Sequence, residues 1–262
     1  MIKAKKSLGQ NFLIDENIIQ KIISSGVIQD KNVLEIGPGT GNLTRAILSK
    51  KPKKFYVIEK DHNLSELLMQ NFKNQITIIN EDVLKFNEKN ITNEKLVVFG
   101  NLPYNISTEI LCKWIINLDS DQFWFDELIL MFQKEVAERI IAKINTSNYG
   151  RLTILTNWKL EVKKICDISP NSFFPKPKID SSLLYFIPKK NFFRIKDPKN
   201  LEKVTRIFFN HRRKMIRKPF NQIFRENLEV SKKLNSNLNL RPQNLDLSTY
   251  YNLTEEYENL KC

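Results

Sequence analysis

The turn Asn101-Leu102-Pro103-Tyr104 carries the groups best suited to chemistry in this chain of 262 residues. Asn101 supplies a side-chain amide, Leu102 a backbone carbonyl that a proline turn leaves exposed, and Tyr104 an aromatic face. Two hydrogen-bond acceptors beside a ring suit a flat base that bears an amine. The alternative interpretation is a simple proline turn with a half-buried tyrosine.

This turn is predicted to join a strand to a helix. Leu96–Phe99 is an apolar, largely β-branched run with the length of one buried strand. Gly100 is expected to break the run, and Pro103 removes a backbone donor and disfavours helix at Leu102. From Ile106 onwards apolar residues recur at helical spacing. The turn therefore lies at the carboxyl end of a strand, which is the edge where open α/β sheets bind ligands.

A glycine-rich loop follows an earlier predicted strand, Val33–Ile36. The loop is Gly37-Pro-Gly-Thr-Gly41, and a helix is predicted from Asn42. Glycine lets the backbone turn sharply and approach a ligand where a Cβ would clash. Glycine is common in strand-to-helix turns, and this spacing differs from the dinucleotide pattern Gly-x-Gly-x-x-Gly, so the loop indicates a site only in its context.

Acidic residues follow the next two predicted strands. Glu59 directly follows the predicted strand Phe55–Ile58, where it could accept hydrogen bonds from ribose hydroxyls. Asp82 follows Ile76–Ile79 and can accept from an adenine amino group. Taken singly, each could be a solvated strand end. Together with the glycine loop they predict one site at the carboxyl edge of the sheet.

Strands and helices alternate along most of the chain. Leu128–Phe132 is a fifth strand, followed by a helix start within Gln133–Arg139. This alternation predicts an α/β fold with a doubly wound, mostly parallel sheet. Near the amino terminus Asp15 can cap a helix, and the preceding residues 5–14 could fold over a ligand as a lid.

The pattern changes after Asn145, where helical periodicity weakens. Trp158–Ile165 alternates like an exposed strand, Ser172–Ser181 contains two prolines and is predicted to be an extended loop, and Ser182–Ile187 is a closing strand. The domain boundary is placed near Pro188. We therefore expect two domains, residues 1–187 and a small helical domain of residues 188–262.

Positive charge is concentrated in the C-terminal part. The chain has a formal net charge of +13, and residues 187–262 hold 17 Lys and Arg against 8 Asp and Glu. Such asymmetry favours a nucleic-acid partner, although a lysine-rich codon bias is the alternative. Lys203–Lys218 is predicted to be one basic amphipathic helix, whose apolar face holds Val204, Ile207, Phe208 and Met215. A membrane surface is a less favoured partner, because the apolar face has the width needed to pack on a domain. The residues expected to contact phosphates are Arg206, Arg212, Arg213, Lys214 and Arg217.

Composition excludes several classes of protein. The chain has three widely spaced cysteines and two histidines, which argue against a metal motif, a disulfide framework and a Ser-His-Asp site. No apolar run approaches the roughly 18 residues that cross a bilayer. We expect a cytoplasmic protein without a metal or a membrane partner.

Together these motifs resemble one family, the ribosomal RNA adenine dimethyltransferases, which use S-adenosylmethionine. The matching segments are Gly9–Leu13, Leu34–Gly41, Glu59, Glu81-Asp82, Asn101–Thr108, Gln133–Arg139 and Phe174–Ser181. They follow the family's order. The resemblance implies a Rossmann-like class I methyltransferase domain, followed by an RNA-binding domain.

The resemblance also implies roles for individual residues. The expected cofactor contacts are Asn11, Leu13, Gly37, Glu59, Asp82 and Asn101. Asn101, Leu102 and Tyr104 are implied to hold the target adenine, and Phe174 to help sandwich its ring. The cofactor product would be S-adenosylhomocysteine.

Two branches of this family differ in their RNA. The motifs look like those of the bacterial housekeeping branch, which dimethylates two adjacent adenines near the 3′ end of 16S ribosomal RNA during small-subunit assembly; this implies immature small subunits as partner and a monomeric enzyme. The alternative is the 23S branch, which gives macrolide resistance. Two other classes of function remain open: a non-catalytic RNA-binding assembly factor, and a small-molecule methyltransferase, against which the basic tail argues.

Overall fold

The computed structural model of the protein describes residues 5, 9–118, 122–225, 230 and 237–260. Contacts between residues divide them into two compact units. The sheet unit comprises residues 5, 9–113, 122–137 and 162–188; the helical unit comprises residues 114–118, 138–161, 189–225, 230 and 237–260. The boundary was expected near Pro188, and Pro188 is the last residue of the sheet unit; all described residues after it belong to the helical unit. Segments 114–118 and 138–161 group with the helical unit, although they precede that boundary.

The described residues form strands and helices in alternation. The strands are β1 (Phe12–Leu13), β2 (Asn32–Ile36), β3 (Lys54–Ile58), β4 (Thr77–Ile79), β5 (Leu96–Asn101), β6 (Phe125–Gln133), β7 (Leu160–Ile168), β8 (Phe173–Phe174) and β9 (Ser181–Pro188). The α-helices are α1 (Glu16–Ile23), α2 (Asn42–Ser49), α3 (His62–Phe72), α4 (Ser107–Ile116), α5 (Lys134–Ile140), α6 (Arg151–Lys159), α7 (Pro198–Phe209), α8 (Arg217–Phe224) and α9 (Leu247–Asn259).

A seven-stranded sheet positions the candidate residues. Its order is β4-β3-β2-β5-β6-β9-β7. The first five strands of this order pair in parallel, and β9 runs antiparallel to β6. Ile36 pairs with Ile58 and with Gly100, and Ile58 pairs with Ile79, so four carboxyl ends meet at one edge. The predicted doubly wound, mostly parallel sheet is confirmed.

The sheet forms because its strands are apolar enough to be buried on both faces. Val33, Val57, Val97 and Ile129 are all at most 1% exposed. The predicted cap of the first helix is also confirmed, since the Asp15 side chain accepts hydrogen bonds from the first backbone N–H groups of α1.

The predicted single helix over Lys203–Lys218 is wrong. Helix α7 ends at Phe209, turns follow, and α8 begins at Arg217. A continuous helix would place Arg212, four residues after the buried Phe208, against the core. Met215, expected on the apolar face, is 56% exposed.

Helix α6 lies after Asn145, where the helical periodicity of apolar residues weakens in the sequence. Its sequence is apolar or β-branched around most of its circumference, and six of its nine residues are buried. A helix buried on most sides has no amphipathic stripe to predict it. It packs against α7 and α9 within the helical unit. The strand expected over Trp158–Ile165 begins only at Leu160, because α6 continues to Lys159.

Candidate active site

The glycine loop between β2 and α2 has a backbone conformation that depends on its glycines. Gly37, Gly39 and Gly41 have φ angles of +66°, +60° and +86°, a region that residues with a Cβ rarely adopt. A Cβ on Gly39 would lie only 2.8 Å from the Phe12 ring of β1. The missing Cβ at Gly39 therefore makes room for the Phe12 ring, whereas the backbone at Gly37 is more open: a Cβ there would meet only the Asn101 carbonyl oxygen, at 3.7 Å.

Glu59 lies at the end of β3 beside this loop. One carboxylate oxygen accepts the Gly39 N–H at 3.3 Å, and the other accepts the Asp61 N–H at 2.8 Å. Burial raises the pKa of Glu59, and the two backbone hydrogen bonds partly offset that rise. A carboxylate that is only 7% exposed and already fixed in orientation is a preorganised acceptor.

Asp82 follows β4 and forms a different pair. Its carboxylate contacts the Lys60 ammonium at 2.8 Å and accepts the Leu84 N–H at 3.0 Å. The hydrogen bond from Lys60 lowers the pKa of Asp82. Asp82 is therefore ionised at neutral pH and is held against the loop that follows the strand.

The Asn101–Tyr104 turn lies at the carboxyl end of β5, as predicted, but the expected break at Gly100 is wrong: β5 continues through Gly100 to Asn101. The Asn101 amide nitrogen donates to the Asn11 carbonyl at 2.8 Å, which directs the amide oxygen to another side. The Tyr104 hydroxyl lies 2.5 Å from Ser181 Oγ, and burial raises the pKa of Tyr104 despite this hydrogen bond. Its phenol is therefore neutral at physiological pH.

The N-terminal segment borders the same cavity. Strand β1 pairs with β8, and the Asn42 amide of α2 donates to the Leu13 carbonyl at 2.8 Å. Lys5 and Gln10 both contact the Asp61 carboxylate, at 2.8 Å and 3.1 Å. These bonds attach the segment proposed as a lid to α2, the helix after the glycine loop, and to Asp61, two residues after Glu59.

One cavity brings together nearly all the expected small-ligand residues. Its lining includes Asn11, Leu13, Gly37, Glu59, Asp82, Asn101, Leu102 and Tyr104. Phe174, expected to sandwich the base, is outside this lining; it is 66% exposed on β8, opposite Phe12. The position of Phe174 suits a base that approaches from solvent better than one wholly inside the cavity.

Nearly the whole chain matches one known protein family. The model of a family described as "Ribosomal RNA adenine dimethylase" matches residues 1–259. The chain belongs to the ribosomal RNA adenine dimethylase family.

Relatives of this dimethylase are similar over their whole length. "Ribosomal RNA small subunit methyltransferase A" of Pelagibacter ubique is 64% identical over 260 residues, which cover 99% of each chain. The protein of the same name from a Wolbachia of Drosophila simulans is 39% identical, covering 100% of this chain and 96% of its own.

Solved structures support the same fold. A dimethyladenosine transferase from Plasmodium falciparum has a TM-score of 0.80 at 30% identity, covering 95% of this chain and 98% of its own. The 23S rRNA methyltransferase ErmE has a TM-score of 0.68 at 21% identity, covering 95% of this chain and 100% of its own, which shows a shared fold. This chain is therefore a Rossmann-like methyltransferase and uses S-adenosylmethionine, as its family implies.

The cavity of this dimethylase fits that cofactor. Gly37 leaves its backbone open to close contact with a ligand, because a Cβ there would meet only the Asn101 carbonyl oxygen, at 3.7 Å. Glu59 offers a buried acceptor of the kind that ribose hydroxyls need, and Asp82 offers an ionised acceptor at the next strand end. Three different strand ends thus supply groups that match different parts of one nucleoside.

The basic residues of the dimethylase's helical unit have two kinds of environment. Arg206, Arg213, Lys214 and Arg217 are exposed. Arg212 is instead folded inwards: its guanidinium donates to the backbone carbonyls of Ser147 and Tyr149, the latter at 2.9 Å. Because Arg212 Nη2 already donates to these two carbonyls within the helical unit, we expect Arg212 to contribute less to phosphate binding than its exposed neighbours.

Sequence reasoning missed several contributors to the site. Asn42 holds the N-terminal segment, Lys60 holds Asp82, and Ser181 holds Tyr104. Ser181 lies within a matching motif, but no local pattern indicates its partner.

None of the helices in the described part of the chain has the length and apolar character that spanning a bilayer requires.

Proposed function

We propose that this dimethylase transfers methyl groups to N6 of two adjacent adenines near the 3′ end of 16S ribosomal RNA in the small subunit. High identity to proteins named for the small ribosomal subunit supports that choice of RNA. The observation that carries the chemistry is the Asn101 amide, whose nitrogen is engaged by Asn11 at 2.8 Å. Its oxygen is thereby directed to accept from an amine.

The chemistry requires orientation more than a strong base. The lone pair of adenine N6 is delocalised into the ring, so the amine is a weak nucleophile. The Asn101 amide oxygen and the Leu102 carbonyl would accept its two N–H groups, which favours a pyramidal nitrogen with a directed lone pair. The proton on N6 becomes acidic once the nitrogen is alkylated and passes to solvent.

The cofactor would be held by the residues that line the cavity. We assign Asn11, Leu13, Gly37, Glu59, Asp82 and Asn101 to this role. When bound, S-adenosylmethionine supplies an electrophilic methyl group and leaves as S-adenosylhomocysteine. Glu59 would accept from the ribose hydroxyls, and the glycine backbone would lie against the ligand.

The base would be extracted from its stack. Leaving the stack costs a few kcal/mol, and one aromatic face returns roughly 1–3 kcal/mol. Tyr104 would provide one face and the exposed Phe174 the other. Arg206, Arg213, Lys214 and Arg217 would contact phosphates, which supply most of the affinity but not the choice of base.

Methylation of isolated subunits tests this function. The protein is incubated with S-adenosylmethionine labelled in its methyl group and with small or large subunits that lack the modification. We expect label in 16S RNA as N6,N6-dimethyladenosine at two adjacent positions. Label in 23S RNA would support the alternative branch, and RNA binding without label in either subunit would indicate a non-catalytic assembly factor.

The physiological form of the reaction is a further part of the proposal. We propose that the enzyme acts as a monomer, in the cytoplasm, on immature small subunits and without a metal. Light scattering of the purified protein tests the monomer, and activity in the presence of a chelator tests the metal. Comparing mature with immature particles, both unmodified, tests the preferred substrate.

A further inference from the structure

The Tyr104 hydroxyl and Ser181 Oγ form the shortest polar contact around the Asn101–Tyr104 turn, at 2.5 Å. The two residues are 77 positions apart in the chain. We propose that Ser181 is a positioning residue for methyl transfer, whose hydroxyl fixes the Tyr104 ring where the target adenine stacks. This inference rests on the proposed function and assigns to the site a residue that does not line the cavity.

Ser181 is a rigid point of attachment. It is 0% exposed and is the first residue of β9. Its backbone pairs with Gln133 of β6, and the preceding carbonyl, that of Asp180, accepts the Lys134 N–H at 3.0 Å. The sheet therefore fixes Ser181 on both sides of its Cα.

Tyr104, by contrast, lies in a turn. Local bonds hold the backbone of this turn: the Pro103 carbonyl accepts the Ile106 N–H at 3.0 Å, and the Tyr104 carbonyl accepts the Ser107 hydroxyl at 3.3 Å. These bonds leave the side-chain torsions of Tyr104 to be set by its surroundings. A hydrogen bond at the far end of the ring, where a small rotation about χ1 causes the largest displacement, is an effective restraint on them.

The same bond also joins Tyr104 to the segment that carries Phe174. That segment begins at β8, which pairs with β1, and reaches β9 at Ser181. The bond to Ser181 thus connects the Tyr104 ring to the end of the segment that carries Phe174, the second aromatic residue proposed to contact the base. Orientation contributes strongly to catalysis, so a shift of the stacked base affects the rate of transfer more than the affinity for RNA.

A pair of variants removes this hydrogen bond from either side. Ser181→Ala removes one hydroxyl and Tyr104→Phe removes the other while keeping the ring. The matched control is Ser182→Ala: Ser182 is also 0% exposed, and its hydroxyl donates to Asp167 at 2.6 Å instead of to Tyr104. Single-turnover methylation of unmodified small subunits is measured at saturating cofactor over a range of subunit concentrations.

We expect Ser181→Ala and Tyr104→Phe each to lower the maximal single-turnover rate by about tenfold, because the Tyr104 ring loses the restraint that orients the stacked base for transfer. The half-saturating subunit concentration should not change. The double variant should be no slower than either single variant, because both remove the same bond. Ser182→Ala should transfer methyl groups at the parental rate, whatever its unfolding free energy.

Two results would overturn the inference. One is a parental maximal rate for Ser181→Ala, and the other is a double variant whose defect is the product of the two single defects. If Ser181→Ala does not fold, Tyr104→Phe decides alone, since a parental rate for it excludes a role for the bond. Failure of the unsubstituted enzyme to methylate would instead refute the proposed function.

Discussion

Protonation of Glu35 should make the stability of this enzyme depend on pH. Glu35 is 1% exposed in β2, directly before the glycine loop, and its carboxyl group accepts the Thr44 hydroxyl at 2.6 Å. Burial raises its pKa to about 8; the hydrogen bond from Thr44 opposes the rise, and the nearby Glu59 adds to it. The ordinary pKa of a glutamic acid is 4.5.

The sign and size of the effect follow from proton linkage. Between pH 4.5 and about 8 the folded protein keeps a proton on Glu35 that the unfolded chain releases. Stability from this group is therefore complete below pH 4.5 and is lost as pH rises to about 8. The slope is about 1.4 kcal/mol per pH unit, so raising the pH from about 5.5 to about 7.5 should cost about 2.7 kcal/mol.

Urea unfolding of the cofactor-free protein measures this loss. Glu35→Gln cannot titrate and keeps an acceptor for Thr44, so the difference between parent and variant isolates Glu35 from other titrating groups. The parent should lose about 2.7 kcal/mol more than the variant over the two pH units. Parallel pH profiles would show that Glu35 is ionised in the folded protein and that burial has not raised its pKa.

Three further predictions concern the cofactor site and the RNA surface. Glu59→Gln should weaken S-adenosylmethionine by roughly 1–3 kcal/mol by calorimetry, because the ribose hydroxyls lose a charged acceptor; an unchanged dissociation constant would remove Glu59 from the site. In the cofactor-free protein, Gly39→Ala should lower the unfolding free energy more than Gly37→Ala: both strain a positive φ, but a Cβ at position 39 lies 2.8 Å from a ring and one at position 37 lies 3.7 Å from its nearest neighbour. Arg213→Ala should reduce the log–log salt slope of RNA binding by about 0.7–0.9, whereas Arg212→Ala should leave that slope unchanged and lower stability.

The sequence predicts the sheet well because local composition carries the necessary information. Buried parallel strands are short apolar runs, and Val33–Ile36, Phe55–Ile58 and Leu96–Phe99 all lie within strands of the structure. Strands that pair in parallel and in register bring the residues after them to one edge. The convergence of Glu59 and Asn101 on one cavity was therefore predictable without coordinates.

Contacts between distant residues were not predictable in the same way. The bond between Tyr104 and Ser181, and the contacts of Arg212 with the carbonyls of Ser147 and Tyr149, join segments far apart in the chain. Nothing in the spacing near Arg212 distinguishes it from its exposed neighbour Arg213. Composition predicts a basic surface but not which guanidinium is needed to hold the fold.

The orientation of the Asn101 amide likewise depends on a contact with a distant residue, which the local sequence does not predict. An asparagine at a strand end can present either its nitrogen or its oxygen to a ligand. The Asn11 carbonyl, 90 residues earlier in the chain, accepts from the nitrogen at 2.8 Å. Asn11 is itself held near Leu13, whose carbonyl accepts from Asn42 at 2.8 Å. In the proposed reaction, the N-terminal segment therefore determines that an oxygen faces the adenine amine, and loosening that segment should impair methyl transfer even though the Asn101-Leu102-Pro103-Tyr104 sequence is unchanged.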